Sequence, residues 1–128
     1  MDIISTSGGK LSINTSGENL YSFSINSYEI NFTFNKNKNM GKINIYSNLQ
    51  EEYNIDFIIK NNKLFLFKIS DNTIAHIIKL NDSKKNIMKY KLEFNNSYDQ
   101  IRQIFVIITI IYLQINKYYK LNFDNLLL

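Results

Sequence analysis

Cysteine is absent from the 128-residue chain, and with it go a disulfide framework, thiolate metal sites and the small stapled folds of secreted proteins. Long apolar runs are missing too. The longest, Ile104 to Leu113 with only Thr109 polar, has about half of the roughly 20 residues that a membrane span needs. Glycine is scarce, and three of the four stand in residues 1–19. Gly8-Gly9-Lys10 is no phosphate loop, because the earlier glycine, the Ser or Thr after the lysine and the following helix are all lacking. The amino-terminal segment shows no basic stretch, long apolar core and small-residue cleavage site in succession. The cytoplasm, with peripheral attachment to membranes as a variant, is therefore the expected location.

Catalytic constellations are equally sparse. His76 is the only histidine, and no nucleophile or orienting carboxylate stands at a spacing that serves it. It reads as a half-exposed strand residue. Glu51 and Glu52 are adjacent, so on a strand they point to opposite faces and cannot share a substrate. Asp56 and Glu93 fall on the polar faces of separate strands, and each is more simply a solubilising group. No ligand cluster has metal-site spacing. The expectation is a non-enzymatic protein without cofactor or metal.

What is abundant is Ile, Asn, Lys, Tyr and Phe, a bias that fits an A/T-rich genome. Asn replaces Gly or Asp at turns, and Lys replaces Arg on surfaces. With Asn so frequent, the Asn-x-Ser/Thr patterns at Asn14, Asn31 and Asn95 carry no weight. The hydrophobic fraction of 45% and charged fraction of 20% are those of a globular domain. A length of 128 residues suits one hydrophobic core.

The patterning is that of strands. Residues 1–19 read as a flexible amino-terminal segment with one edge strand around Leu11 and Ile13; residues 20–128 read as a single β-rich domain. From Leu20 a period of two dominates, the spacing that sends alternate side chains to one face. In Tyr28-Glu29-Ile30-Asn31-Phe32-Thr33-Phe34 every apolar residue falls on one face and every polar residue on the other. Asn35 to Asn39 breaks the pattern, as do Asn61-Asn62, Asp71-Asn72 and Asn81 to Lys85. About seven to nine strands in an antiparallel meander result. A helix near 98–116 follows, with Ser97 as the expected cap and Asp99 in the first turn. For Ile104 to Leu113 two identities compete. The β-branched content favours a buried strand; the length, the cap and the all-round hydrophobicity favour an enclosed helix. The fold class expected is mainly β (α+β), an antiparallel meander forming a barrel or strongly curved sheet packed around one buried hydrophobic C-terminal helix.

The stretches "KLFLFKISDNTIAHIIKL" and "MKYKLEFNNSYDQIRQIFVIITIIYLQI" resemble the strand, Asp-containing turn and strand, and then the last strand and core helix, of the Tubby C-terminal-like superfamily. That superfamily includes the LURP-one-related proteins and phospholipid scramblases. The resemblance implies a closed barrel around an apolar helix, and lipid or phosphoinositide binding or lipid scrambling. The family has twelve strands and glycine at its turns, where this chain has fewer strands and Asn. No ligand-binding motif of the family is matched at the level of residues.

The net charge of +4 rests almost wholly on lysine, with Arg102 the only arginine. Lys36, Lys38 and Lys42 bracket one loop, and Lys84, Lys85, Lys89 and Lys91 lie in or beside another. Gathered by the fold, the two groups make a patch for an anionic membrane surface, at about 1 kcal/mol for each lysine; dispersed, they only solubilise. Most aromatics alternate inward with Ile, so nucleic acid is disfavoured as a partner. The tail ends in Leu126, Leu127 and Leu128, which close the sheet as a last strand or offer an apolar contact to a protein partner. The expected function is a non-enzymatic binding module for anionic lipid headgroups or a protein partner. The alternative is a structural or assembly protein that oligomerises through a sheet edge or the leucine tail.

Overall fold

The computed structural model describes residues 2–4, 10–17, 19–35, 37–61, 63–82, 87–115 and 126–127. A two-stranded sheet pairs β1 (Asp2–Ile4) with β2 (Lys10–Ser12). The main sheet follows from β3 (Asn14–Ser16), β4 (Leu20–Ile25), β5 (Tyr28–Asn35), β6 (Met40–Ser47), β7 (Glu52–Lys60), β8 (Leu64–Ile69), β9 (Asn72–Asp82) and β10 (Ile87–Phe94). These pair in chain order, each antiparallel to the next. A 3-10 turn (Asn96–Ile101) leads into α1 (Arg102–Ile115), and β11 (Leu126–Leu127) lies parallel to β10 at the far edge. The sheet is a nine-stranded meander whose end strands, β3 and β11, do not pair with each other among the described residues. It is therefore a wrapped sheet and not a closed barrel.

The strands obey the alternation. In β5, Ile30, Phe32 and Phe34 point inward and Glu29, Asn31, Thr33 and Asn35 outward. Tight hairpins need positive φ at both central residues, and Asn26-Ser27 (50° and 70°) and Ser70-Asp71 (48° and 68°) supply it without glycine. The second turn thus sits one residue earlier than the sequence suggests. Gly41 has another purpose: a Cβ there would stand 2.7 Å from the Phe32 ring and from the Thr33 carbonyl oxygen. Residues 1–19 hold three short strands where one was expected, and Ile3 and Ile13 are buried in the core. Among the described residues eleven strands result in place of seven to nine, because two- and three-residue strands are too short for a period to show.

Ile104 to Leu113 is helical and buried on every side. The β-branched residues cost little helix propensity against what enclosure returns, since each buried side chain of this size contributes about 1.5–3 kcal/mol. Phe105 packs at 4.7 Å on Phe67, and Tyr112 sits among Phe34, Phe57 and Phe65 at 5.0, 6.0 and 5.5 Å between ring centres. Thr109, the one polar residue of the run, donates its hydroxyl to the Phe105 carbonyl at 2.9 Å and so buries no unpaired group. Asn95, not Ser97, is the cap: its backbone is extended, and its side-chain oxygen accepts from the Ser97 N–H at 3.0 Å. The first turn is 3-10, so α1 proper starts at Arg102. No helix among the described residues is long and apolar enough to cross a membrane.

Candidate functional site

Successive antiparallel strands reverse direction, so alternate connections gather at the same end of the sheet. The β3–β4, β5–β6, β7–β8 and β9–β10 connections share one end; the β4–β5, β6–β7 and β8–β9 turns and the start of the 3-10 turn share the other. Single backbone bonds stitch the first set sideways. The Phe34 N–H donates to the Asn19 carbonyl, Ile59 to Asn39 and Lys79 to Lys63, at 3.2, 3.0 and 2.8 Å.

This alternation sorts the charges. At the first end stand Lys38, Lys60, Lys63 and Lys79, none in an ion pair with a described carboxylate. At the other end stand Glu29, Glu51, Glu52, Asp71 and Asp99, with Glu93 nearby. Lys68 and Arg102 are the cations toward that side, and Arg102 is held by Asp99 at 3.2 Å. Helix α1 runs from the acidic end to the lysine end, so both sets of charges oppose its macrodipole favourably.

Of the lysines singled out by sequence, Lys38 lies in the β5–β6 turn and Lys42 on the outer face of β6, where it binds Asp56 at 2.7 Å. Lys91 faces outward on β10 and binds Glu93 at 3.2 Å. Lys89 stands opposite Leu80 in the β9–β10 ladder. Lys36, Lys84 and Lys85 lie outside the described residues, as does Leu128; the strand ends that flank the three lysines, Asn35, Asp82 and Ile87, belong to the lysine end. In the sheet order β7, β8 and β9 separate β6 from β10. Leu126 and Leu127 are used within the chain, paired with Tyr90 and Lys91.

Beside the β5–β6 turn opens a cleft of about 710 Å³, lined by the Asn19, Asn35 and Asn37 side of the turns and by Lys38, Met40 and Lys42. Amide donors with the Lys38 ammonium suit an oxyanion such as a phosphate, whereas the Lys42 ammonium is held by Asp56. Sequence reasoning missed Lys60, Lys63 and Lys79, whose hairpins it identified without asking at which end they fall.

It also missed the outer face of β6 to β9. In the register, Met40, Ile58, Leu66 and His76 form one cross-strand row, and Lys60, Leu64, Ile78 and Lys91 the next toward the lysine end. Leu80 follows. Met40 and Leu80 are 38% and 37% exposed, and Leu66 is covered although it lies outside the main core cluster. The signal was present in "KLFLFKI", which is apolar in both phases of the strand. On the far side of this band the row turns charged, with Lys42, Asp56 and Lys68 in register.

Asp56 and Glu93 do not meet. The Glu93 carboxylate holds Lys91 and, across the ladder, the Nε2 of His76 at 3.1 Å. The Lys91 hydrogen bond and charge, with a smaller effect of His76, bring the Glu93 carboxyl below its ordinary value. At the acidic end Tyr28 and Tyr53 both direct their hydroxyls at Glu51, at 3.4 and 3.5 Å, and Gln100 donates to Tyr53 at 3.0 Å. Burial first, and then the Glu51 charge, push the Tyr28 phenol up. These bonds fasten the start of the helix to the turns. No group of three or more metal-ligating side chains occurs among the described residues. Comparison of the chain with protein-family models, with curated proteins and with solved structures gives a match to none of the three.

Proposed function

We propose that the protein is a non-enzymatic binding module that attaches to anionic phospholipid surfaces through the lysine end of its sheet. The observation that carries this reading is the sorting of charge by the meander: four lysines, none in an ion pair with a described carboxylate, at the end where Asp82 is the strand-end acid, and five carboxylates at the other. Each lysine near an acidic leaflet contributes about 1 kcal/mol, so four give an attraction of about 4 kcal/mol that salt screens. The amide-lined cleft between the turns supplies a place for one headgroup phosphate. The resemblance to the Tubby C-terminal-like superfamily belongs to the same reading, supported by a helix apolar on every face inside a wrapped meander.

Co-sedimentation with vesicles of phosphatidylcholine alone or with phosphatidylserine tests it. The expected result is pelleting only with the acidic lipid, weakened by salt and lost in the variant Lys38→Gln, Lys60→Gln, Lys63→Gln, Lys79→Gln. A soluble inositol phosphate in place of vesicles separates headgroup recognition from attraction to a surface. Equal recovery in the supernatant with and without acidic lipid at low salt refutes the proposal.

A second reading, assembly through a sheet edge, is favoured by β11. It pairs with only Tyr90 and Lys91 of β10, leaving the edge beyond Lys91 unpaired among the described residues. Sedimentation velocity over a concentration series, with and without Leu126 to Leu128, tests it; a monomer throughout in both forms refutes it.

A further inference from the structure

A band of outward apolar side chains lies beside the lysine end, interrupted by Lys60 at the end of β7. Met40 on β6, Ile58 on β7, Leu64 on β8, and Ile78 and Leu80 on β9 form it around the covered Leu66, with Met40 and Leu80 the most exposed. The cross-strand row Asn14, Ser22, Asn31, Asn44 and Asn54, by contrast, spans β3 to β7 without an apolar member, and the exposed large hydrophobics beyond the band among the described residues are Tyr46 and, in the β6–β7 turn, Leu49. We propose that this band is the part of the protein that enters the interfacial layer of an acidic bilayer, so that the module lies with β7 to β9 against the membrane and does not stand on its lysines alone. The inference rests on the reading above and adds to it the orientation and the class of partner, a lipid surface and not a free polyanion.

Charge selects this occupant. The band is bounded by Lys60 and Lys91 along its own row and by Lys42 and Lys68 beyond it. Of the carboxylates on this part of the face whose side chains are described, Asp56 and Glu93 are engaged by Lys42 and Lys91. Lys60, Lys63 and Lys68, none in an ion pair with a described carboxylate, stand around an apolar centre. That is the arrangement of an interfacial anchor: apolar side chains settle at the boundary of headgroups and acyl chains while lysine stems reach alongside, ammonium groups among the phosphates. A second copy of the same face would bring these cations against one another.

The absence of tryptophan makes the test clean, because one introduced indole reports alone. Leu80→Trp places it in the band; Tyr46→Trp, at a 43% exposed outward position toward the acidic end, is the control. With phosphatidylserine vesicles the Leu80→Trp emission moves to shorter wavelength and becomes quenchable by brominated acyl chains, and the Tyr46→Trp emission does not. In salt that screens the lysines, residual vesicle binding falls about tenfold in the double variant Met40→Gln, Leu80→Gln, whose folding is checked by circular dichroism. Pelleting with unchanged Leu80→Trp emission overturns the inference and leaves the lysine reading standing. A blue shift that grows with protein concentration in the absence of lipid overturns it in favour of a second copy. No pelleting of any form removes both.

Discussion

Truncating Phe105 to alanine tests whether the helix is the centre of the shell. Its side chain has no exposed surface, and its ring lies 4.7 Å from that of Phe67 on β8. Removing a buried phenyl ring costs about 3–5 kcal/mol, from lost transfer energy and the cavity left behind. Domains of this size have about 5–15 kcal/mol in total, so about a fifth or more of the stability is at stake. With a urea slope of about 2 kcal/mol per molar, the unfolding midpoint falls by about 2 M. Urea titration followed by far-ultraviolet circular dichroism measures it, and Gln103→Ala, an exposed position two residues away, should move the midpoint little. The two together discriminate sharply, because a helix whose apolar surface were spent on lipid would add nothing to the stability of the free protein. A loss under about 1 kcal/mol for Phe105→Ala would falsify the enclosed helix and the wrapped sheet with it.

Thr109→Val keeps the shape of a buried side chain whose hydroxyl bonds only its own helix, so thermal unfolding should show a change within about 1 kcal/mol; a larger loss points to a partner other than the Phe105 carbonyl. Gly41→Ala forces a methyl against the Phe32 ring and the Thr33 carbonyl, and equilibrium unfolding should show a loss of about 1–3 kcal/mol, with no change counting against the close β5–β6 approach. The Glu93 carboxyl is lowered by Lys91 and His76, so its contribution to stability is present above the unfolded value and fades as pH falls through the folded one. Carbon-detected NMR titration should place its midpoint below that of an isolated glutamate, and Lys91→Met should raise it. A Glu93 midpoint indifferent to Lys91→Met contradicts the ion pair.

The meander was legible because its inner face is written in Ile and Phe at strict alternation: Ile30, Phe32 and Phe34 in β5, Ile55, Phe57 and Ile59 in β7. Tyr46, next to Ile45, follows the alternation outward, where an aromatic at a strand end is tolerated although the inner face is apolar. The identity of Ile104 to Leu113 was open because a segment buried all round has no polar phase from which a period can be read. The ends of strands were harder. Ser97 looks like a cap, but Asn95, extended after β10, takes that role two residues earlier, its side-chain oxygen accepting from the Ser97 N–H. The lysine end was legible only in its parts. Sequence shows which residues share a turn, whereas the gathering of Lys38, Lys60, Lys63 and Lys79 depends on how many strand reversals separate them. The apolar band escaped because "LFLF" was absorbed wholesale into the core, although half of it faces out.

Ten of the described strands precede α1 in the chain, so most of the shell leaves the ribosome before the element that fills it. Until it emerges, the inner aromatic rows of β5, β7 and β8 have no partner but one another and solvent, and long-range strand pairing is slow. Nascent chains halted before Arg102 should therefore be sticky and dependent on chaperones, and the native state should be reached only after synthesis has passed the helix.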